Sequence, residues 1–432
     1  MTTDVDAVIA GGGVAGSAAA AALAQLGWSV LVVEPGQHDD RRLAGELIHP
    51  SGVDRLAELG LLSAPAFASA ARLDGFAIFP EAGRSECIEL PYGRPGASPA
   101  LALDHASIYA SLLASASALP TVTVARGCRV TSLEGTPGNP IVRLRREAIS
   151  CRLVVAADGA SSPVRGYAGI GHRRVRNAVL TGYLVDRDAL PLQGRGHIFT
   201  ASGGPVLAYA IGNGRARVLF NGPLRRGQLD RTADAKTEAL TARLRAAVEA
   251  AMADGLGQCF VSSDVTVSGV TRGDVVLVGD AAGTCHPISA SGMTMGIDDA
   301  TRLARALRGR DGDVPAGLAL YAAERRSRQR ARVLLAAMLR DALGGAGPEM
   351  GLLRGSLQRY WSGSARARAA SMALLGMDDV SMRSILYEFA RVMAAGVFAS
   401  FGEPASVLRR AELMARLSRP MIGNVIGAMR VQ

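Results

Sequence analysis

A six-residue run, Gly11-Gly12-Gly13-Val14-Ala15-Gly16, constrains this chain more than anything else in it. It stands between residues 6–10, which read as a short buried strand, and the alanine-rich run 17–26, which reads as a helix. Glycines at Gly11, Gly13 and Gly16 allow a tight turn, close backbone approach to a pyrophosphate and intimate helix–strand packing. The helix N-terminus then faces the phosphate charge. Residues 28–34 follow as a second apolar strand, and Glu34 ends it at the spacing of an acid that bonds ribose hydroxyls. The bland alternative is a structural turn with an edge-strand glutamate. The joint pattern of strand, loop, helix, strand and acid favours dinucleotide binding.

No residue from 7 to 33 is charged, which a hydropathy scan can take for a membrane span or a signal peptide. The glycine block and the lack of a basic leader favour strand, turn, helix and strand instead, so no signal peptide is expected. At 432 residues and 49% hydrophobic content the chain suits a two- or three-part enzyme. Its net charge of +10 sits late: residues 301–432 hold 21 arginines against 10 acidic residues, and Lys236 is the sole lysine. There is no aromatic-interleaved basic stripe, zinc finger or RNA-binding signature, so nucleic acid is not an expected partner. A solvated basic helical surface or attraction to an anionic membrane remains. Cys87, Cys128, Cys151, Cys259 and Cys285 are scattered, odd in number and without metal-ligand spacing, which points to a reducing cytoplasm.

Texture alternates along the chain. Residues 51–62 and 107–119 have helical patterns, while 121–125, 152–156 and 275–279 read as further strands, two-sided and apolar where they belong to a parallel sheet. Residues 75–79, 87–90, 180–185, 197–200, 206–211 and 216–220 read as antiparallel strands, the last two flanking the turn Gly212-Asn213-Gly214. A helix is predicted over 233–253, loops over 134–140 and 344–348, and mostly helix beyond 292. This interleaving predicts an α/β fold: a Rossmann-like domain with a parallel sheet, interrupted by an antiparallel β-sheet substrate domain and followed by C-terminal helices. The cofactor domain is expected in parts 1–74, 101–170 and 271–315. The substrate sheet takes 75–100 and 171–270, and the helical region 316–432.

Two further motifs carry chemistry. In residues 154–165 a strand runs into Asp158-Gly159, small polar residues and Arg165, an ordinary turn when taken alone. In residues 275–300 a buried strand delivers Asp280 at its C-terminal end, where open α/β sheets bind ligands, and His286-Pro287, Gly292-Met293 and Asp298-Asp299 follow. The three motifs in this order, with Glu34 in place, resemble the class A flavoprotein monooxygenases, the aromatic hydroxylase group, over roughly the first 320 residues. Within that group the segment Arg42 to Gly52 and the segment His286 to Thr294 are similar to those of squalene epoxidases.

The resemblance implies FAD as cofactor, NAD(P)H as donor and O2 as co-substrate. It puts Gly11, Gly13, Val14, Ala15 and Gly16 against the ADP part of FAD, with Glu34 and Pro35 in the same cofactor set. Arg42 falls beside the pyrophosphate, its alternative being a solvated loop arginine. Asp158-Gly159 falls near flavin and nicotinamide, Asp280 on the ribityl chain, and Pro287, Gly292 and Met293 by the isoalloxazine ring. The implied reaction is epoxidation or hydroxylation of a lipophilic natural-product, terpenoid or aromatic substrate through a flavin C4a-hydroperoxide that must be kept from water. No acid–base residue is obligatory. His49 and His286 are candidates for that role, or neutral hydrogen-bonded histidines beside the flavin. Tyr209 and Phe220 are candidates for a substrate cavity, or for plain core. Three departures bear on substrate, donor and flavin mobility: Ala290 replaces a usual glycine, His49 stands where the epoxidases have Gln, and Asp104-His105 where many relatives have Arg.

The tail, 382–401 and 404–429, carries apolar residues at helical spacing among arginines, with Ile385, Leu386, Phe389, Val392, Met393 and Val397 able to share a face. Packing on the flavin domain is one outcome. A monotopic contact at the inner face of the membrane is the other. A prenyl double-bond reductase similar to geranylgeranyl reductases is the competing function, because these carry a segment like Gly279–Gly283. A flavin halogenase is disfavoured, since Trp28 and Trp361 are the only tryptophans. Whether a separate flavin reductase delivers electrons stays open.

Overall fold

The structure, a computed structural model, describes residues 3–36, 45–93, 96–201, 203–223, 234–310, 313–345, 347–398, 412, 415 and 421–430. One layer is a six-stranded sheet in the spatial order Thr271–Arg272, Val275–Leu277, Leu153–Ala156, Ala7–Ala10, Val30–Glu34, Val122–Arg126. Neighbours run parallel except for the first pair. Ala7, Val8 and Ile9 are wholly buried, which explains strands that are apolar on both faces. The helix Val14–Ala24 follows the opening strand, and its run Ala18 to Ala21 is wholly buried. Small side chains let the helix Gly292–Leu307 come so close that a Cβ on Gly296 would lie 3.0 Å from that of Ala15.

The second layer is a seven-stranded sheet in the order Gln258–Val267, His172–Asp186, Arg215–Pro223, Val206–Gly212, Gly196–Phe199, Gly75–Phe79, Ile88–Pro91. Only Gly196–Phe199 and Gly75–Phe79 run parallel within it. Strands from an early stretch of chain thus complete a sheet built mainly from a later one. Asn213 and Gly214 take the positive φ that the predicted hairpin turn requires. Alternation sorts side chains onto two faces. Phe76, Ile78, Ile198, Tyr209 and Ile211 face Cys285, Ile288 and the C-terminal helices. Phe79, Phe199, Val206, Val218 and Phe220 face the helix Ala242–Ala253.

Several expectations are corrected. Residues 134–140 are not a loop but the centre of a hairpin, Ser132–Thr136 with Asn139–Arg143, joined by Ala148–Ser150 into a small antiparallel sheet. Pro137 and Gly138 supply only its two-residue turn. The helix expected over 233–253 is a 3-10 stretch, Asp234–Ala239, and a separate α-helix from Ala242. Arg245 bonds the carbonyls of Thr237, Glu238 and Leu240, so the break is capped by a side chain.

Four helices, Val314–Gly344, Pro348–Gly363, Ala365–Leu375 and Met382–Phe398, close the described chain apart from a helical stretch at 421–429. In the last of the four, Ile385 and Val392 are buried and Leu386, Phe389 and Met393 pack against the same clusters. Its predicted apolar face is therefore covered by protein; the Val397 side chain lies outside the description. Among the described residues no helix is long and apolar enough to cross a membrane.

Candidate cofactor and substrate site

The glycine loop makes a cradle. Gly11 has φ +99°, and a Cβ there would lie 2.5 Å from the Ala157 carbonyl oxygen, while a Cβ on Gly16 would overlap the carbonyl of Gly11. Gly13 ends the loop with open space at its α-carbon, as N-cap of the following helix, with no side-chain cap and no acid in the first turn. The positive end of that helix is left for an anion. Val14 is buried behind it, and Ala15 touches the third motif: a Cβ on Gly279 would lie 2.7 Å from the Ala15 Cβ. The Gly12 amide donates to Glu34 Oε2 (2.6 Å) and the Gly36 amide to Oε1 (2.7 Å), which orients the carboxylate around the exposed Pro35.

Asp158 follows the strand Leu153–Ala156. Its Oδ2 accepts from the Val164 amide (3.0 Å), its Oδ1 is buried without a partner, and burial raises its pKa. Arg165, wholly buried, donates to the carbonyls of Ala281 (2.9 Å) and Ala160 (3.0 Å) and so ties the second motif to the third. In the third motif Gly279 turns at φ +58° and its amide donates to Asp299 Oδ2 (3.0 Å), leaving Asp280 exposed at the strand end. Asp299 pairs with Arg325 (2.8 Å) and Arg328 (3.3 Å) in full burial, and Asp298 pairs with Arg55 (2.7 Å), Arg302 (2.8 Å) and Arg328.

His286 caps the single turn Pro287–Ser289 by accepting from the Ile288 amide at Nδ1 (3.3 Å), so that nitrogen carries no proton. Ala290 takes the left-handed φ of +49° that explains the usual glycine. Gly292 opens the next helix, and Met293 lies against Gly45, whose Cβ would meet its Cγ at 3.3 Å. His49 bridges the segments: Nε2 donates to the Ser289 carbonyl (2.9 Å), Nδ1 accepts from the Tyr92 hydroxyl (2.7 Å), and its amide donates to Thr294 Oγ1 (3.0 Å). Since a carbonyl only accepts, the tautomer is fixed. Burial lowers both His49 and His286 to about 4, which leaves each neutral. Asp104 serves as N-cap to Ser107 (3.0 Å), and His105 Nδ1 bonds the Gly45 carbonyl (2.8 Å).

Tyr209 and Phe220 do not share a cavity. Tyr209 pairs across the hairpin with Arg217, three residues before Phe220, and odd separation in a strand means opposite faces. Phe220 is core, edge-on to Tyr183 at 5.9 Å. Tyr209 points the other way and donates to Glu46 Oε2 (3.4 Å), while Arg217 grips Glu46 through Nε (3.0 Å) and Nη2 (2.7 Å). Burial raises the Glu46 pKa against the opposing pull of Arg217. Glu46, Tyr92 and Arg217 were missed in the sequence. The signal available was an arginine inside an otherwise apolar strand. Arg42 lies outside the described residues.

The unpartnered Asp158 oxygen, the crowded glycine cradle, the uncapped helix and the exposed Asp280 fit an extended dinucleotide lying across the strand ends. The sequence pattern of the FAD binding domain family matches residues 4–336. A squalene epoxidase of Schizosaccharomyces pombe is 28% identical over 70% of this chain and 69% of its own length. The 6-methylpretetramide 4-monooxygenase of Streptomyces rimosus is 31% identical over 71% of this chain and 77% of its own. Four other squalene epoxidases and monooxygenases are matched over only 53% to 59% of their length. The structure of Klebsiella pneumoniae HpxO complexed with FAD superposes with a TM-score of 0.71 at 24% identity, covering 87% of this chain and 98% of that one, a likeness of fold.

Proposed function

We propose that this chain, which belongs to the FAD binding domain family and within it to the squalene-epoxidase-like class A monooxygenases, inserts one atom of O2 into a lipophilic natural-product, terpenoid or aromatic substrate. One observation carries the choice of substrate class. A single apolar layer joins Cys285 and Ile288, within the second flavin segment, to Phe76, Ile198 and Tyr209 on the sheet and to Trp361 on the helices. Such a wall attracts a ligand chiefly by taking its apolar surface out of water.

Bound FAD, reduced with electrons from NAD(P)H, supplies the oxygen chemistry. The protein holds and shields it. Gly11, Gly13, Val14, Ala15 and Gly16 take the pyrophosphate, Arg42 assists there, and Glu34 with Pro35 takes the ribose. Asp158 offers its free oxygen to the cofactor, Asp280 takes ribityl hydroxyls, and Pro287, Gly292 and Met293 border the ring. His49 and His286, neutral and hydrogen-bonded, fix the surrounding segments. The FAD-loaded protein given NAD(P)H, 18O2 and squalene or a polycyclic aromatic should yield a product carrying one labelled oxygen. A product that gains two hydrogens and no label would mean prenyl reduction instead. Anaerobic bleaching of the flavin by NADPH alone decides whether a separate reductase is needed.

A peripheral membrane contact is a second proposal, supported by the helical stretch 421–429. There Ile422, Ile426 and Met429 are 52%, 46% and 59% exposed at helical spacing, while Val425 and Ala428 pack inward. Ile422→Ser with Ile426→Ser should reduce co-sedimentation with anionic liposomes; equal sedimentation of variant and parent would remove the idea.

A further inference from the structure

The sheet face turned toward Cys285 and Ile288 is apolar except at one place. Arg217 is the charged side chain that lies buried there among the described residues, and it is 4% exposed. Its guanidinium is already engaged. Nε and Nη2 form a fork on Glu46, which is itself 2% exposed, and Nη1 reaches Gln258 Oε1 at 3.5 Å. The Tyr209 hydroxyl adds a donor to the same carboxylate. Glu46 comes from the cofactor domain, immediately after Gly45 and its contact with Met293, whereas Arg217 and Tyr209 come from the substrate sheet. The counter-charge is therefore imported across the boundary between the two layers.

A buried arginine in a ligand wall has two outcomes. Left free, it draws a ligand carboxylate, because both charges are desolvated and the fork geometry matches. Already matched, it offers nothing, and a carboxylate entering the wall would shed its water without compensation. The geometry here is the second case.

We infer that Glu46 is a specificity-determining residue that, by neutralising Arg217, makes the substrate wall accept uncharged molecules and reject carboxylates. The inference rests on the proposal that the substrate lies along this face. It makes the lipophilic class narrower: hydrocarbons, alcohols and neutral polycycles rather than fatty or aromatic acids.

The test uses the FAD-loaded holoenzyme and two probes with one carbon skeleton, farnesol and farnesoic acid, titrated at neutral pH by perturbation of the flavin absorbance. Wild type should bind the alcohol at least ten times more tightly than the acid. Glu46→Gln frees Arg217, and the acid-to-alcohol affinity ratio should rise at least tenfold. The double variant Glu46→Gln with Arg217→Gln restores a neutral wall and should bring the ratio back. Wild-type preference for the acid overturns the inference, whether or not the single variant folds. So does a ratio that is the same in all three proteins, absence of binding included. Because the readout is binding, it is independent of oxygen insertion. A shifted ratio with no labelled product would leave this inference standing and remove the monooxygenase proposal.

Discussion

At the scale of single residues the histidines carry a pH signature. Burial holds His49, His197 and His286 at about 4 against an ordinary 6.5. The unfolded chain therefore binds more protons between those values. The stability these rings contribute is complete above pH 6.5 and declines as pH falls toward 4, by up to about 3 kcal/mol for each ring. Gln at position 49 offers the same pair of functions as the neutral ring, an N–H for the Ser289 carbonyl and an oxygen for the Tyr92 hydroxyl. His49→Gln should thus keep its FAD while losing about one proton from the slope of stability against pH. Urea unfolding between pH 7.5 and 5 measures this, and an unchanged slope would contradict the buried neutral ring. His49 was visible in the sequence as a departure from Gln. Its partner Tyr92 was not, because 43 residues and a change of layer separate them.

At the scale of elements, the glycine loop was legible because its constraint is local. A turn with no room for a Cβ must be glycine whatever surrounds it, and strand and helix patterns on either side fix its role. The strand His172–Asp186 was half legible. Leu180 to Val185 pack and show it, whereas His172 to Arg176 are exposed at the sheet's edge and carry no apolar alternation. The clamp on the third motif was illegible, since Asp299 and Arg325 lie on different helices and only packing unites them. That clamp makes a prediction. Asp299 holds the Gly279 amide, which sets where Asp280 stands. Asp299→Asn would leave Arg325 and Arg328 short of a counter-charge in full burial, a loss of about 3–5 kcal/mol. Calorimetry should show a lowered Tm. FAD titration at a temperature where the apoprotein stays folded should show at least tenfold weaker binding. A lowered Tm with unchanged FAD affinity would make Asp299 a structural anchor only.

At the scale of the molecule, two layers and a helical cover meet around one apolar space. The order of motifs along the chain revealed the two layers, because a sheet of parallel strands cannot be closed without the late return of the strand Val275–Leu277. The cover was legible as helix but not as wall. Trp361 shows what it does. It is 3% exposed, shares a cluster with Ile288 and Tyr209, and its Nε1 donates to Ser371 Oγ at 2.8 Å, which holds the second and third C-terminal helices together. Removing that ring opens a cavity and costs about 3–5 kcal/mol, and it brings water closer to the flavin segment. Under the monooxygenase proposal, water near the activated oxygen diverts it to hydrogen peroxide. Trp361→Ala with FAD still bound should therefore release more peroxide per NAD(P)H oxidised than wild type, measured with a peroxidase-coupled dye. Trp361→Phe, which keeps most of the volume and loses only the Ser371 bond, should fall between them. If both variants coupled oxidation as tightly as wild type, the helices would be a support for the fold and not a wall of the site.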